Sequence, residues 1–95
     1  MALLSDAQVD ERLAAAPGWD RGEPGSIEKQ WEFADFDQAI GFVDRVAGIA
    51  QAANHHPDIL LHGWNKVKLS LTNHSAGGIT EVDFTMAERF DALDG

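Results

Sequence analysis

Three imidazoles hold the concentrated chemistry of this chain. His55 and His56 stand side by side in Asn54-His55-His56-Pro57-Asp58, and His74 lies downstream in Thr72-Asn73-His74-Ser75-Ala76-Gly77-Gly78. Imidazole gives and takes protons near neutrality. A set of three suits reactions that need one group protonated and another deprotonated: elimination of water, hydration or tautomerisation. His55 and His56 follow a predicted helix C-terminus, where the macrodipole favours a positive charge. His74 is followed by two glycines, which permit close backbone approach. A lone histidine at a helix end is more often a cap or a solvent-facing residue; adjacent histidines before a proline bring the two readings level.

Other chemistries find less support. Imidazole is a good zinc ligand, but adjacent side chains seldom converge on one ion. The chain has neither a His-x-x-x-His pair nor a cysteine, so no metal site is expected. His62 falls in a predicted hairpin turn and reads as surface. On spacing alone Asp83 is a helix cap and Trp64 a core aromatic. There is no glycine-rich phosphate loop, no nucleophile elbow and no basic stripe.

The scaffold that must position these groups is small. Ninety-five residues suit one domain, since halves would bury too little to be stable. An apolar content of 44% is ordinary for a folded globular chain. At this size, without disulfides, self-association is a common source of extra stability. The formal charge of −9 argues against a nucleic-acid footprint or an anionic membrane surface, though not against a neutral small molecule. The absence of cysteine removes thiol catalysis and thiolate metal sites and fits a reducing compartment. No apolar run reaches membrane-spanning length, and Met1 to Asp6 carries no basic leader. The expected location is the cytoplasm.

Periodicity gives the elements. Ser5 and Gln8 form a capping box for a helix from Asp6 to about Ala15, ended by Pro17-Gly18. Trp19 to Arg21 reads as a brief strand, and Gly22-Glu23-Pro24-Gly25 as a turn. Ile27, Lys29, Trp31 and Phe33 then share one strand face, with Glu28, Gln30 and Glu32 on the other. Asp35 or Asp37 caps a long helix to about Ala53, with Phe36, Ile40, Val43, Val46, Ala47 and Ala50 as its apolar stripe. Phe42 and Ile49 lie off that stripe; they either widen the core face or meet a second copy, and the two readings weigh equally.

Pro57 is the stop after this helix. A short strand runs from Asp58 to Leu61, with a turn at His62-Gly63. A strand from Trp64 to Thr72 follows, with Val67, Leu69 and Leu71 on one face. Thr80 and Asp83 make a second capping pair for a helix through Leu93. The expected fold is α+β, in the order α-β-β-α-β-β-α: a four-stranded antiparallel sheet with three helices packed on one face.

At these residues the chain resembles the pterin-4a-carbinolamine dehydratases. The family motif is His-His-Pro, five or six residues, an aromatic, nine residues, His, and later Asp. Here it reads His55-His56-Pro57, six residues, Trp64, nine residues, His74, eight residues, Asp83. Trp64-Asn65-Lys66-Val67, Ser75-Ala76-Gly77-Gly78-Ile79-Thr80, Gly18-Trp19 and Phe33-Ala34-Asp35-Phe36 are also similar to members. The resemblance extends from Trp19 to Leu93.

The resemblance implies dehydration of 4a-hydroxytetrahydropterin to quinonoid dihydropterin, a step that recycles the cofactor of aromatic amino-acid hydroxylases. It implies no metal and no bound cofactor. By analogy His55 and His74 act as general acid and base, and His56 binds and orients the pterin. Asn54, Thr72, Asn73 and Ser75 fall where the family contacts substrate, and Pro57, Trp64 and Asp83 carry over as motif positions of the binding site. The family also implies a homodimer or homotetramer, through sheet edges or the long helix. Some members serve instead as interaction modules, partnering a homeodomain activator or assisting assembly of a carbon-fixing enzyme. Such relatives lose pocket histidines, and this chain retains all three. It departs from many members in having Gln51 for an acidic residue, Ile59 for an aromatic and Val82 for an arginine.

Overall fold

The computed structural model describes residues 2–23 and 25–94. Its elements are α1 (Asp6–Ala14), β1 (Asp20–Gly22), β2 (Ser26–Glu32), α2 (Phe36–Ala53), β3 (Asp58–His62), β4 (Lys66–Leu71) and α3 (Glu81–Asp94). The α+β order is the one read from periodicity. The strands form one antiparallel sheet in the order β1-β2-β4-β3, which leaves β3 on an edge. Glu23 and Gly25 lie in the β1–β2 turn, as expected; Pro24 lies outside the described residues. No helix among the described residues is long and apolar enough to cross a membrane.

Cross-strand register puts the apolar residues on one face. Ile27 opposes Leu71, Lys29 opposes Leu69 and Trp31 opposes Val67; directly opposed residues share a face. These join Val9, Phe42, Val46, Phe84 and Phe90 in one buried cluster against the helices. Each such side chain withdrawn from water stabilises the fold by about 1.5–3 kcal/mol. Lys29 keeps its place on this apolar face by lying against Trp31, while its ammonium reaches Asp91 at 2.8 Å.

Three expectations need correction. The buried stripe of α2 is Ala39, Phe42, Val46 and Ala50, whereas Phe36 and Ile40 are exposed. Both stripes have three- and four-residue steps, so periodicity alone does not choose between them. Phe42 decides it by packing on Trp31 and Phe33, with ring centroids 4.9 and 5.1 Å apart. Phe42 is therefore core and not a contact surface, and Ile49 packs against the same core.

The second correction is to β4, which starts at Lys66. Trp64 sits in the three-residue β3–β4 turn at φ 61°, 61% exposed, and is not a core aromatic. The third concerns His62, which is half-buried, its Nε2 at 2.8 Å from Gln30 Oε1, where free surface was expected.

Candidate active site

The end of α2 aims the first two histidines. Asp35 opens the helix by accepting from Gln38 N at 2.8 Å. Asn54 ends it in the left-handed region at φ 52°, which asparagine tolerates better than most residues. Asn54 N bonds Gln51 O at 3.2 Å, and His55 N bonds Ala50 O at 3.1 Å. Such a pair closes a helix with its last carbonyls satisfied and turns the chain sharply. Helix termination therefore belongs to Asn54; Pro57 comes three residues later and restricts His56 to extended backbone.

His55 turns inward. Its side chain is 12% exposed, and its Nε2 lies 2.6 Å from Oδ1 of Asp83, which is wholly buried. The other carboxylate oxygen of Asp83 accepts from Thr80 N at 2.8 Å and lies 3.4 Å from Thr80 Oγ1. The expected capping pair thus exists, and Asp83 spends only one oxygen on it. A carboxylate at Nε2 fixes the proton on that nitrogen, leaving Nδ1 as the free ring position. His56 is exposed, with Nε2 at 3.0 Å from Gln51 Oε1.

The opposite wall is a turn. Asn73 O accepts from Ala76 N, Gly77 N and Gly78 N, and Asn73 Oδ1 accepts from Ala76 N at 3.1 Å. Gly77 has φ 83°, a conformation that strains any residue with a Cβ. The turn carries His74 and Ser75 at its exposed tip, and His74 makes no side-chain hydrogen bond among the described residues.

The two connections meet. Asn54, His55, His56, Thr72, Asn73, His74 and Ser75 line one cleft of about 340 Å³. All three sequence-selected histidines and four of the expected binding residues are brought together. The other three are not on its walls. Asp83 lies behind His55, Pro57 shapes the chain beside the cleft, and Trp64 is at the far end of the β3–β4 hairpin. With strand residues rising about 3.3 Å each, Trp64 is about 15 Å or more away.

Two contributors were read in the sequence only in part: Thr80 as a capping partner and Gln51 as a departure from the family pattern. Their hold on the histidines, Thr80 through Asp83 and Gln51 on His56, was not. A roomier groove, of about 460 Å³, lies by the start of α2 between Phe33, Arg45 and Leu93, with no histidine in it. Among the described residues no group of three His, Asp or Glu side chains is placed to hold a metal ion.

The sequence and the fold are matched by known proteins. The family model for pterin 4 alpha carbinolamine dehydratase matches residues 2–93. A Roseiflexus sp. (strain RS-1) protein, provisionally named a pterin-4-alpha-carbinolamine dehydratase, is 48% identical over 90 residues, 95% of each chain. A solved Brucella melitensis structure described as a transcriptional coactivator/pterin dehydratase superposes with a TM-score of 0.90 at 33% identity, covering 97% of this chain and 98% of that one. A pterin dehydratase-like protein identified as a RuBisCO assembly factor in the alpha-carboxysome gives 0.68 at 29% identity, over 82% and 90%. The chain belongs to the pterin-4a-carbinolamine dehydratase family.

Proposed function

We infer that this protein dehydrates 4a-hydroxytetrahydropterin to quinonoid dihydropterin, with imidazole side chains as the proton carriers and no metal or cofactor. The observation that carries this reading is the pairing of a held histidine with a free one across a single cleft: His55 backed by buried Asp83, and His74 on an exposed turn. The reaction breaks the C4a–O bond and the N5–H bond and forms a C4a=N5 double bond. The leaving hydroxyl departs as water with a proton from one imidazole, while another takes the N5 proton. His55 and His74 serve as this acid–base pair, each worth about 10²–10⁴ in rate by the usual yield of such catalysis. His56, Asn54, Thr72, Asn73 and Ser75 bind and orient the pterin. Pro57 and Asp83 act through their neighbours, and Trp64 has no place in this cleft.

The test is stopped-flow decay of chemically generated 4a-hydroxytetrahydropterin with a chelator present. Acceleration that survives chelation is expected; decay at the spontaneous rate would overturn the reading.

A second reading, a non-catalytic assembly module, has one observation in its favour. Leu60 and Ile59 on edge strand β3 and neighbouring Trp64 are exposed, and one similar protein is a RuBisCO assembly factor. The same residues, with exposed Phe36 and Ile40 on α2, support a homodimer or homotetramer. Light scattering of Leu60→Asp and Ile40→Asp checks this: a smaller particle is expected from at least one, and unchanged size in both would count against it.

A further inference from the structure

We propose that the groove beside the start of α2 binds a free α-amino acid with a large apolar side chain. The groove, of about 460 Å³, is lined by Phe33, Asp35, Asp37, Gly41, Arg45 and Leu93, together with Gln38. Small-molecule sites usually enclose about 300–1,000 Å³. The groove shares no residue with the histidine cleft, so the proposal stands apart from the dehydratase reading.

Arg45 is the first pointer to a ligand. The chain sets 16 carboxylate side chains against seven lysines and arginines. Arg12, Arg21, Lys29 and Lys68 each have an acidic partner. Arg45 has none among the described residues, although two aspartates line the same groove. Its guanidinium offers a planar fork of donors that matches a carboxylate.

Helix spacing arranges the charges. Asp37, Gly41 and Arg45 follow at four-residue steps, so they lie on one face with a rise of about 6 Å between each. Arg45 folds back by one turn: its Nη1 lies 3.7 Å from the point where a Cβ on Gly41 would stand. The cation therefore sits beside Gly41, one turn from exposed Asp37. Asp35 and Gln38 are occupied in closing the helix start, Asp35 Oδ1 accepting from Gln38 N at 2.8 Å and Gln38 Oε1 from Ala34 N at 3.3 Å. An α-amino acid carries a carboxylate and an ammonium on one carbon. The carboxylate takes the Arg45 fork and the ammonium donates to Asp37, whereas a simple acid or a simple amine meets only one of them.

Gly41 is the second pointer. Glycine inside a helix is less stable than alanine, and here an added methyl would meet only Arg45 Nη1, at ordinary contact distance. The fold itself does not require this glycine. Bare helix surface beside the guanidinium leaves room for the carboxylate of a ligand.

The apolar wall selects the side chain. Phe33 and Leu93 are half-buried and pack against the core, with the Phe33 ring centroid 5.1 Å from that of Phe42. Held from behind in this way, they present their remaining surface to the groove. A side chain the size of leucine or phenylalanine covers that surface, and a methyl group does not.

The test is calorimetric titration of wild type with L-phenylalanine, 3-phenylpropionate, phenethylamine and L-alanine. L-Phenylalanine should bind saturably, about tenfold or more tighter than the other three, each of which lacks one of its interactions. Arg45→Gln should weaken phenylalanine about tenfold and leave phenethylamine unchanged. Asp37→Asn should weaken it likewise while sparing 3-phenylpropionate. Gly41→Ala should melt no lower than wild type and still weaken phenylalanine. In NMR spectra the amide signal of Gly41 should shift on titration and that of His74 should not.

No saturable heat with L-phenylalanine would overturn the proposal. Equal affinity for the acid or the amine analogue would do the same, as would phenylalanine binding that all three variants leave unchanged, or shifts confined to the histidine cleft.

Discussion

The two walls of the histidine cleft are built in opposite ways. His55 is nearly buried and tied at 2.6 Å to a carboxylate that is itself buried and bound to Thr80 at the start of α3. His74 stands on a turn whose hydrogen bonds all run through Asn73, and its ring is tied to nothing among the described residues. One wall is part of the fold's core; the other is mounted on the surface. A proton carrier of the first kind is held in one tautomer and one orientation. One of the second kind adjusts to the ligand. The difference predicts that damage to the two walls will separate stability from rate.

The largest effect belongs to Asp83→Ala. It leaves Thr80 N and His55 Nε2 without their acceptor, and each buried group left unpaired costs about 1–3 kcal/mol. Denaturant titration should show a loss of about 2–4 kcal/mol, with dehydration falling alongside. Stability within about 0.5 kcal/mol of wild type would mean that the His55 wall is not a core element.

His74→Ala should do the reverse. Exposed substitutions rarely move stability by more than about 0.5 kcal/mol, while the rate should fall about a hundredfold or more. A parallel loss of both would erase the contrast between the walls.

Gln51→Ala probes the partner of His56. Loss of the acceptor at 3.0 Å frees the imidazole proposed to orient the pterin, so KM should rise severalfold with kcat nearly unchanged and little change in melting. Kinetic constants equal to wild type would show that Gln51 does not govern His56.

The smallest effect concerns Glu81, which opens α3 two residues before Asp83. The Arg12 hydrogen bond holds its carboxyl below the usual carboxylate range. A depressed carboxylate pKa stabilises above the unfolded value, about 4.3, and that contribution is lost as pH falls through the folded value. Both side chains are solvent-exposed, so screening keeps the contribution small. Arg12→Ala should shave stability slightly at neutral pH, with the difference from wild type vanishing in acid as Glu81 is protonated, and leave dehydration at neutral pH unchanged. A rate loss at neutral pH would join this pair to the His55 wall.

What the sequence disclosed follows the same division. The element order and the sheet were legible because alternation, caps and turn residues are local signals, whereas a shared pocket for the two histidine connections was implied only by the family resemblance. The surroundings of those signals were not. Thr80 and Asp83 announce a cap by spacing, but nothing local reveals that a second carboxylate oxygen faces a histidine 28 residues earlier. Trp64 falls out of phase with Val67, Leu69 and Leu71, so the alternation begins only after it, where β4 starts. On α2 two apolar stripes satisfied the same period, and only contact with Trp31 and Phe33 placed Phe42 inside.

Chemical rescue tests the central claim most directly. Dehydration is measured by stopped flow for wild type, His55→Ala and His74→Ala, with and without added imidazole. Free imidazole can enter at the exposed turn and replace a mobile proton carrier, but it cannot reproduce a ring locked against Asp83. Concentration-dependent recovery of His74→Ala with none for His55→Ala is the predicted result. Recovery of His55→Ala instead, or a wild type no faster than spontaneous decay, would contradict it.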